Sequence, residues 1–281
     1  MKLGRRITNS IGRIHEGMLM SSLRQTVESL VQERDDFVIE APDQWAQGRT
    51  LYGGMTAALS YSAIKRALGD LGLLRSAQFT FVGPASGRLR LRSNLLRRGR
   101  FSAIVNADCW NEEGMAARSI FVFGDARESQ VAHDFTPKVD VPPPESCEPF
   151  HKTTKPLKGF LSKFEFRLAS GARLFEPNER PEFAIWARFR DIDGCDPVTA
   201  LLALADALPC AAMVSFPKPA AVSTMTWSVD LHQPLVGSDG WHLLWSVSES
   251  TAEGYSLQDM RVYDQDGAPL ASGRQVVAIF I

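Results

Sequence analysis

The stretch FTFVGPASGRLRLRSNLLRRGRFSAIVNADCWNEEGMAARSIFVFG, Phe79–Gly124, reads as strand, turn, strand, glycine, strand, turn, strand. A second stretch, VDLHQPLVGSDGWHLLWSVSESTAEGYSLQDMRVYDQDGAPLASGRQVVAIF, Val229–Phe280, reads the same way. Three markers hold the two in parallel: Pro84 and Pro234, Gly99 and Gly254, and Gly114 and Gly267 are 150, 155 and 153 residues apart. Self-similarity at a nearly constant offset predicts a duplicated unit. The turns Asn111–Gly114 and Asp264–Gly267 carry residues that tolerate positive φ, which points to hairpins and antiparallel pairing.

Upstream of each meander the order repeats, with a short strand (Phe37–Glu40; Phe183–Phe189) followed by a helical segment. GGMTAALSYSAIKRAL begins at Gly53 and DPVTALLALADALPCAAM at Asp196. Both are apolar on nearly every side, as a helix wrapped by a sheet must be. Asp196 followed by Pro197 is N-cap chemistry. The predicted fold is α+β, a double hotdog in which each curved antiparallel sheet wraps a long central helix. Its expected domains are a tail at residues 1–20, a first hotdog at 21–126, a crossover linker at 127–181 containing VPPPESCEP, and a second hotdog at 182–281. The linker has room for a short helix or strand around Lys158–Leu168.

The remaining composition excludes several function classes. With 281 residues, 44% hydrophobic, the chain can bury a large core, and 31 basic residues against 32 acidic ones give no field drawing it to nucleic acid or a membrane surface. Cys109, Cys147, Cys195 and Cys210 lack metal-ligand or CxxC spacing, so a reducing, cytoplasmic setting and no metal site are expected. No apolar run is long enough to span a bilayer, and the amino terminus lacks a signal peptide's apolar core. The GxSxG elbow of serine hydrolases is missing, and no histidine pairs with a carboxylate at a helix start as hotdog dehydratases require.

GRTLYGGMTAALSYSA in the first half, with LADALP, STMTWSVDLHQPL and DQDGAPLASGRQ in the second, resembles the acyl-CoA thioesterase II family along nearly the whole chain. The resemblance implies a double-hotdog enzyme acting on acyl-CoA, with coenzyme A as part of the substrate and no separate cofactor. It carries the family's aspartate to Asp206, its threonine to Thr224 and its glutamine to Gln275. The chain departs from the family pattern at Met55, Gly83, Thr226, Trp227 and Gln233, which leaves a non-catalytic acyl-thioester binder as the alternative.

A thioester carbonyl is already electrophilic, so hydrolysis needs a positioned water, a proton acceptor and donors for the oxyanion. Asp206, expected within the second apolar helix, would be the general base, with Thr224 and Gln275 as orienting partners. Gly53 and Gly54 open the first helix, where exposed N–H groups can face a developing oxyanion; a simple tight turn accounts for them equally well. Arg88, Arg90 and Arg98 lie in the most basic stretch and are candidates for the phosphates of coenzyme A, with a solvated outer sheet face as the alternative. Association into a dimer of double hotdogs is also expected.

Overall fold

The computed structural model describes residues 22–178, 180–192, 194–233 and 239–281. The expected tail at residues 1–20 and the marker Pro234 lie outside the described residues. The first half runs α1 (Leu23–Glu28), β1 (Val31–Glu33), β2 (Asp36–Glu40), β3 (Ala46–Gln47), β4 (Thr50–Leu51), α2 (Gly53–Leu68), β5 (Leu73–Phe81), β6 (Arg88–Arg98), β7 (Ser102–Asn111) and β8 (Gly114–Gly124). The second runs β9 (Glu148–Pro149), β10 (Phe164–Gly171), β11 (Glu182–Phe189), α3 (Pro197–Ala205), β12 (Ala221–Leu231), β13 (His242–Ala252), β14 (Tyr255–Tyr263) and β15 (Pro269–Phe280).

One antiparallel sheet unites both halves in the order β1-β2-β6-β7-β8-β5-β12-β15-β14-β13-β11-β10-β9. Read outward from the β5–β12 seam, strands β8, β7, β6 and β2 on one side answer β15, β14, β13 and β11 on the other. At the seam Phe79 pairs with Trp227, and their rings stack 5.1 Å apart between centroids. The duplication is sharper than its turns suggest, because three β-bulges recur at matching places. Leu96 and Glu249 are the extra residues on β6 and β13, Ala116 and Leu270 on β8 and β15, and Arg75 and Met225 on β5 and β12. A bulge shifts register by one residue and resets which side chains face inward, so shared bulges align the two halves residue by residue.

The two helices pack on each other inside this sheet. Helix α2 is buried almost all round, from Gly54 to Ile64. Helix α3 corrects the expectation of two long helices, since it stops at Ala205 after nine residues. Pro209 explains the stop: it has no N–H to donate, its ring would strike the carbonyl four residues earlier, and it disfavours helical backbone at Leu208. Asp206 is therefore the C-cap residue of α3 and not a mid-helix residue.

Strand structure resumes before the expected end of the linker at residue 181. A 3₁₀ turn at Gly159–Lys163 leads into β10, which pairs with β11. Arg173 donates to the carbonyls of Pro149 and Phe150 at 2.8 and 2.6 Å and ties this segment together. Residues 148–171 therefore extend the second sheet, ahead of the expected start at residue 182.

Candidate active site

The start of α2 meets the end of α3. Tyr52 caps α2, and its hydroxyl donates to the Ala203 carbonyl at 2.9 Å while its ring stacks on Phe160, 4.4 Å between centroids. This approach explains the paired glycines. A Cβ on Gly54 would lie 2.6 Å from Tyr52 Cε2 and 2.7 Å from the Ala203 carbonyl oxygen. One on Gly53 would lie 2.6 Å from Asp206 Oδ2 and 2.7 Å from Phe81 Cζ. Any larger side chain would force the helix ends apart.

Asp206 projects from that junction. Its Oδ2 accepts the Gly54 N–H at 2.7 Å and its Oδ1 accepts Gln275 Nε2 at 2.6 Å. Burial pushes the carboxyl up to about 7, against the opposing pull of the Gln275 amide and the Gly54 N–H. The negative end of α3 also disfavours its charge, while the positive end of α2 favours it. Such a carboxyl exchanges a proton near neutral pH, as a general base should. Burial and the neighbouring Asp206 raise the Tyr52 phenol well above its ordinary range, so Tyr52 stays a hydrogen-bond donor.

Asp206 and Gln275 open onto a cavity of about 840 Å³, a size that suits a ligand much larger than water. Its walls include Leu51, Phe81, Leu208, Met213 and Val222. His151, Phe160, Leu161 and Leu174 add a further wall from the segment expected to be only a linker. Among the described residues no group of three or more histidines, cysteines or acids is placed to hold a metal ion.

The expected site residues divide into three outcomes. Asp206 and Gln275 are in direct contact. Thr224 pairs with Val277 across the sheet, shares its inward face and lines the same cavity, but makes no hydrogen bond to either of them. Its place just before the Met225 bulge distinguishes it from Thr226, which pairs with Val276. Gly54 is a partner of Asp206, and its N–H is already engaged; Gly53 lines the cavity.

The three arginines are elsewhere, on β6 away from the cavity. Arg88 holds Glu33 at 2.6 Å, Arg90 holds Asp36 at 3.3 Å and lies over the Trp110 ring, and Arg98 reaches the Asp70 carbonyl at 3.4 Å. Antiparallel pairing of β6 with β2 sets Arg88, Arg90 and Arg92 beside acidic residues. The guanidinium that does line the cavity belongs to Arg49, exposed at its edge. It stands in the GRTLYGG segment that leads into α2.

Residues 41–124 match the model of the acyl-CoA thioesterase N-terminal domain, and residues 144–279 that of the acyl-CoA thioesterase C-terminal domain. The chain belongs to the acyl-CoA thioesterase family. Solved structures agree on the fold. A hotdog protein of unknown function from Alicyclobacillus acidocaldarius is 22% identical with a TM-score of 0.82, covering 93% of this chain and 99% of its own. The tesB protein of Mycobacterium avium subsp. paratuberculosis is 18% identical with a TM-score of 0.75, covering 92% and 98%. The acyl-CoA thioesterase II TesB2 of Mycobacterium marinum is 17% identical with a TM-score of 0.72, covering 91% and 97%. No curated protein sequence matches the chain. Among the described residues no helix is long and apolar enough to cross a membrane.

Proposed function

We propose that this thioesterase-family protein hydrolyses an acyl-CoA thioester to a free acid and coenzyme A, with Asp206 as general base. The observation that carries the reading is a cavity-facing carboxyl raised to about 7 and held in place by Gln275 and Gly54. Water bound at Asp206 attacks the thioester carbon and passes its proton to the carboxylate. The tetrahedral intermediate collapses, the C–S bond breaks, and the departing thiolate takes that proton from Asp206. No acyl-enzyme is required.

The Gly53 N–H, at the first position of α2, is the donor assigned to the oxyanion. This moves the role from Gly54, whose N–H is occupied by Asp206. Thr224, which lines the cavity and has no hydrogen-bond partner among the described side chains, supplies a second hydrogen bond to the water or the thioester oxygen. Arg49 at the edge takes a phosphate of coenzyme A. The four cysteines are buried and form no disulfide among the described residues, which fits a reducing cytoplasmic setting.

The test is release of free thiol from a series of acyl-CoA esters, from acetyl to palmitoyl, by the purified chain. Hydrolysis of at least one ester is expected, with kcat about 10²-fold lower in Asp206→Asn. Binding of coenzyme A without turnover of any ester would make the protein a binder instead.

A further inference from the structure

Gln258, on β14, is completely buried, and its register partner on β15 is Gln275. Its Oε1 accepts the backbone N–H of Ala211 at 2.6 Å, and its Nε2 donates to Gln275 Oε1 at 3.0 Å. Gln275 Nε2 in turn donates to Asp206 Oδ1 at 2.6 Å. A side-chain amide can turn over and exchange its oxygen for its nitrogen, whereas a backbone N–H can only donate. The Ala211 N–H therefore compels Gln258 to present oxygen on that side and nitrogen on the other. Gln275 must then meet Gln258 with its oxygen, which leaves its nitrogen for Asp206.

The first half indicates that the fold does not need these amides. Matching the bulges places Val105 opposite Gln258 and Phe121 opposite Gln275, and Val105 and Phe121 pair with each other as the glutamines do. Both are fully buried apolar residues. Two amides buried in an equivalent position are hard to account for by packing, because each must find partners to offset its desolvation.

We propose that Gln258 is a positioning residue, fixing through Gln275 the donor that faces the Asp206 carboxylate. The role rests on Asp206 being the base. Gln258 itself is not among the cavity-lining residues. Tyr52 at the head of α2 neighbours Asp206 and stays neutral, and the titratable groups that line the cavity with Asp206 among the described residues are Cys210 after α3, His151 from the segment before β10, and Arg49. None of them belongs to the Ala211–Gln258–Gln275 chain.

Two variants and two readouts test the assignment. Gln258→Met keeps the volume and removes the amide; Gln258→Leu removes it with a shorter, branched side chain, and neither can donate to Gln275. Asp206 is followed by carbon NMR of aspartate-labelled protein, its signal identified by its loss in Asp206→Asn. In both variants its midpoint is expected to rise by about one pH unit, because the carboxylate loses an oriented donor. At neutral pH kcat should fall about tenfold while KM stays within about twofold, and raising the pH should recover part of the loss in Gln258→Met. A residue that merely packs would lower the melting temperature and leave the Asp206 midpoint in place. An unchanged midpoint in a folded variant overturns the proposal, and if Gln258→Leu does not fold, Gln258→Met alone decides. Should the wild type hydrolyse no acyl-CoA, the proposed function fails, while the titration still decides what Gln258 does to Asp206.

Discussion

The two halves of this molecule share a strand order, a set of bulges and a seam, yet they differ where the matching is closest. Thr224, Gln258 and Gln275 in the second half answer to Leu74, Val105 and Phe121 in the first. Counted from the N-cap of each helix, Asp206 answers to Ser62. The first half fills three of these positions with hydrocarbon and the fourth with the Ser62 hydroxyl; the second fills them with a carboxyl, a hydroxyl and two amides. The first gains stability from burying apolar surface. The second accepts the desolvation of polar groups in return for a cavity with a proton acceptor in its wall. The duplication thus provided two similar frames; in the proposed mechanism one carries the chemistry and the other contributes Gly53 and Gly54 to the same site.

Exchanging the two kinds of residue gives the largest expected contrast. Gln275→Leu combined with Gln258→Val removes the donor to Asp206 and should lower kcat by about 10²-fold, with little loss of melting temperature because neither buried amide is left without its partner and apolar side chains suit the matching positions. Phe121→Leu should do the reverse, costing about 1–2 kcal/mol of stability by denaturant titration and leaving kcat within twofold. Equal effects on stability and turnover in both variants would remove the distinction between the halves.

The next effect is on pH. Because Asp206 acts when ionised, kcat should rise with pH, reach half its maximum near pH 7 and level off above it. Stability should move the other way. The unfolded chain releases this proton near 3.8 and the folded chain near 7, so between those values the folded state holds more protons and loses stability as pH rises. Asp206→Asn should therefore melt higher than the wild type at pH 8 by an increment worth about 2 kcal/mol, with a smaller increment at pH 5. An advantage independent of pH would mean that the carboxyl is not strained by its burial.

The smallest effect concerns the arginines. Arg49→Ala should raise KM for acyl-CoA several-fold, since an exposed charge–phosphate contact contributes about 1 kcal/mol. Arg88→Ala and Arg90→Ala should leave KM within about twofold, because these side chains serve Glu33 and Asp36. A larger effect from Arg90 than from Arg49 would return the phosphate site to β6.

Much of the frame was legible because its signals are local. Alternating apolar residues, turn glycines such as Gly114 and Gly267, and the Asp196–Pro197 helix start each act over a few residues, and their repetition at one offset revealed the duplication. Asp206 and Gln275 stand out in the sequence only through motif resemblance, and the fold puts the two in contact. The length of α3 was misjudged although Pro209 was visible, because the apolar run on both sides of it continues through a 3₁₀ turn at Ala211–Ser215.

By itself, the sequence determined that the chain is a tandem duplication of a sheet wrapped on a helix, and which residue types stand at each turn, cap and strand position. Only the tertiary structure decided that Gly54 engages Asp206, that Gln258 faces Gln275, that Arg88 and Arg90 face acids, and that His151 reaches the cavity. Backbone periodicity is set by neighbours in the chain, whereas the partner of an amide, a carboxyl or a guanidinium depends on which distant strands and helix ends the fold brings within about 3 Å.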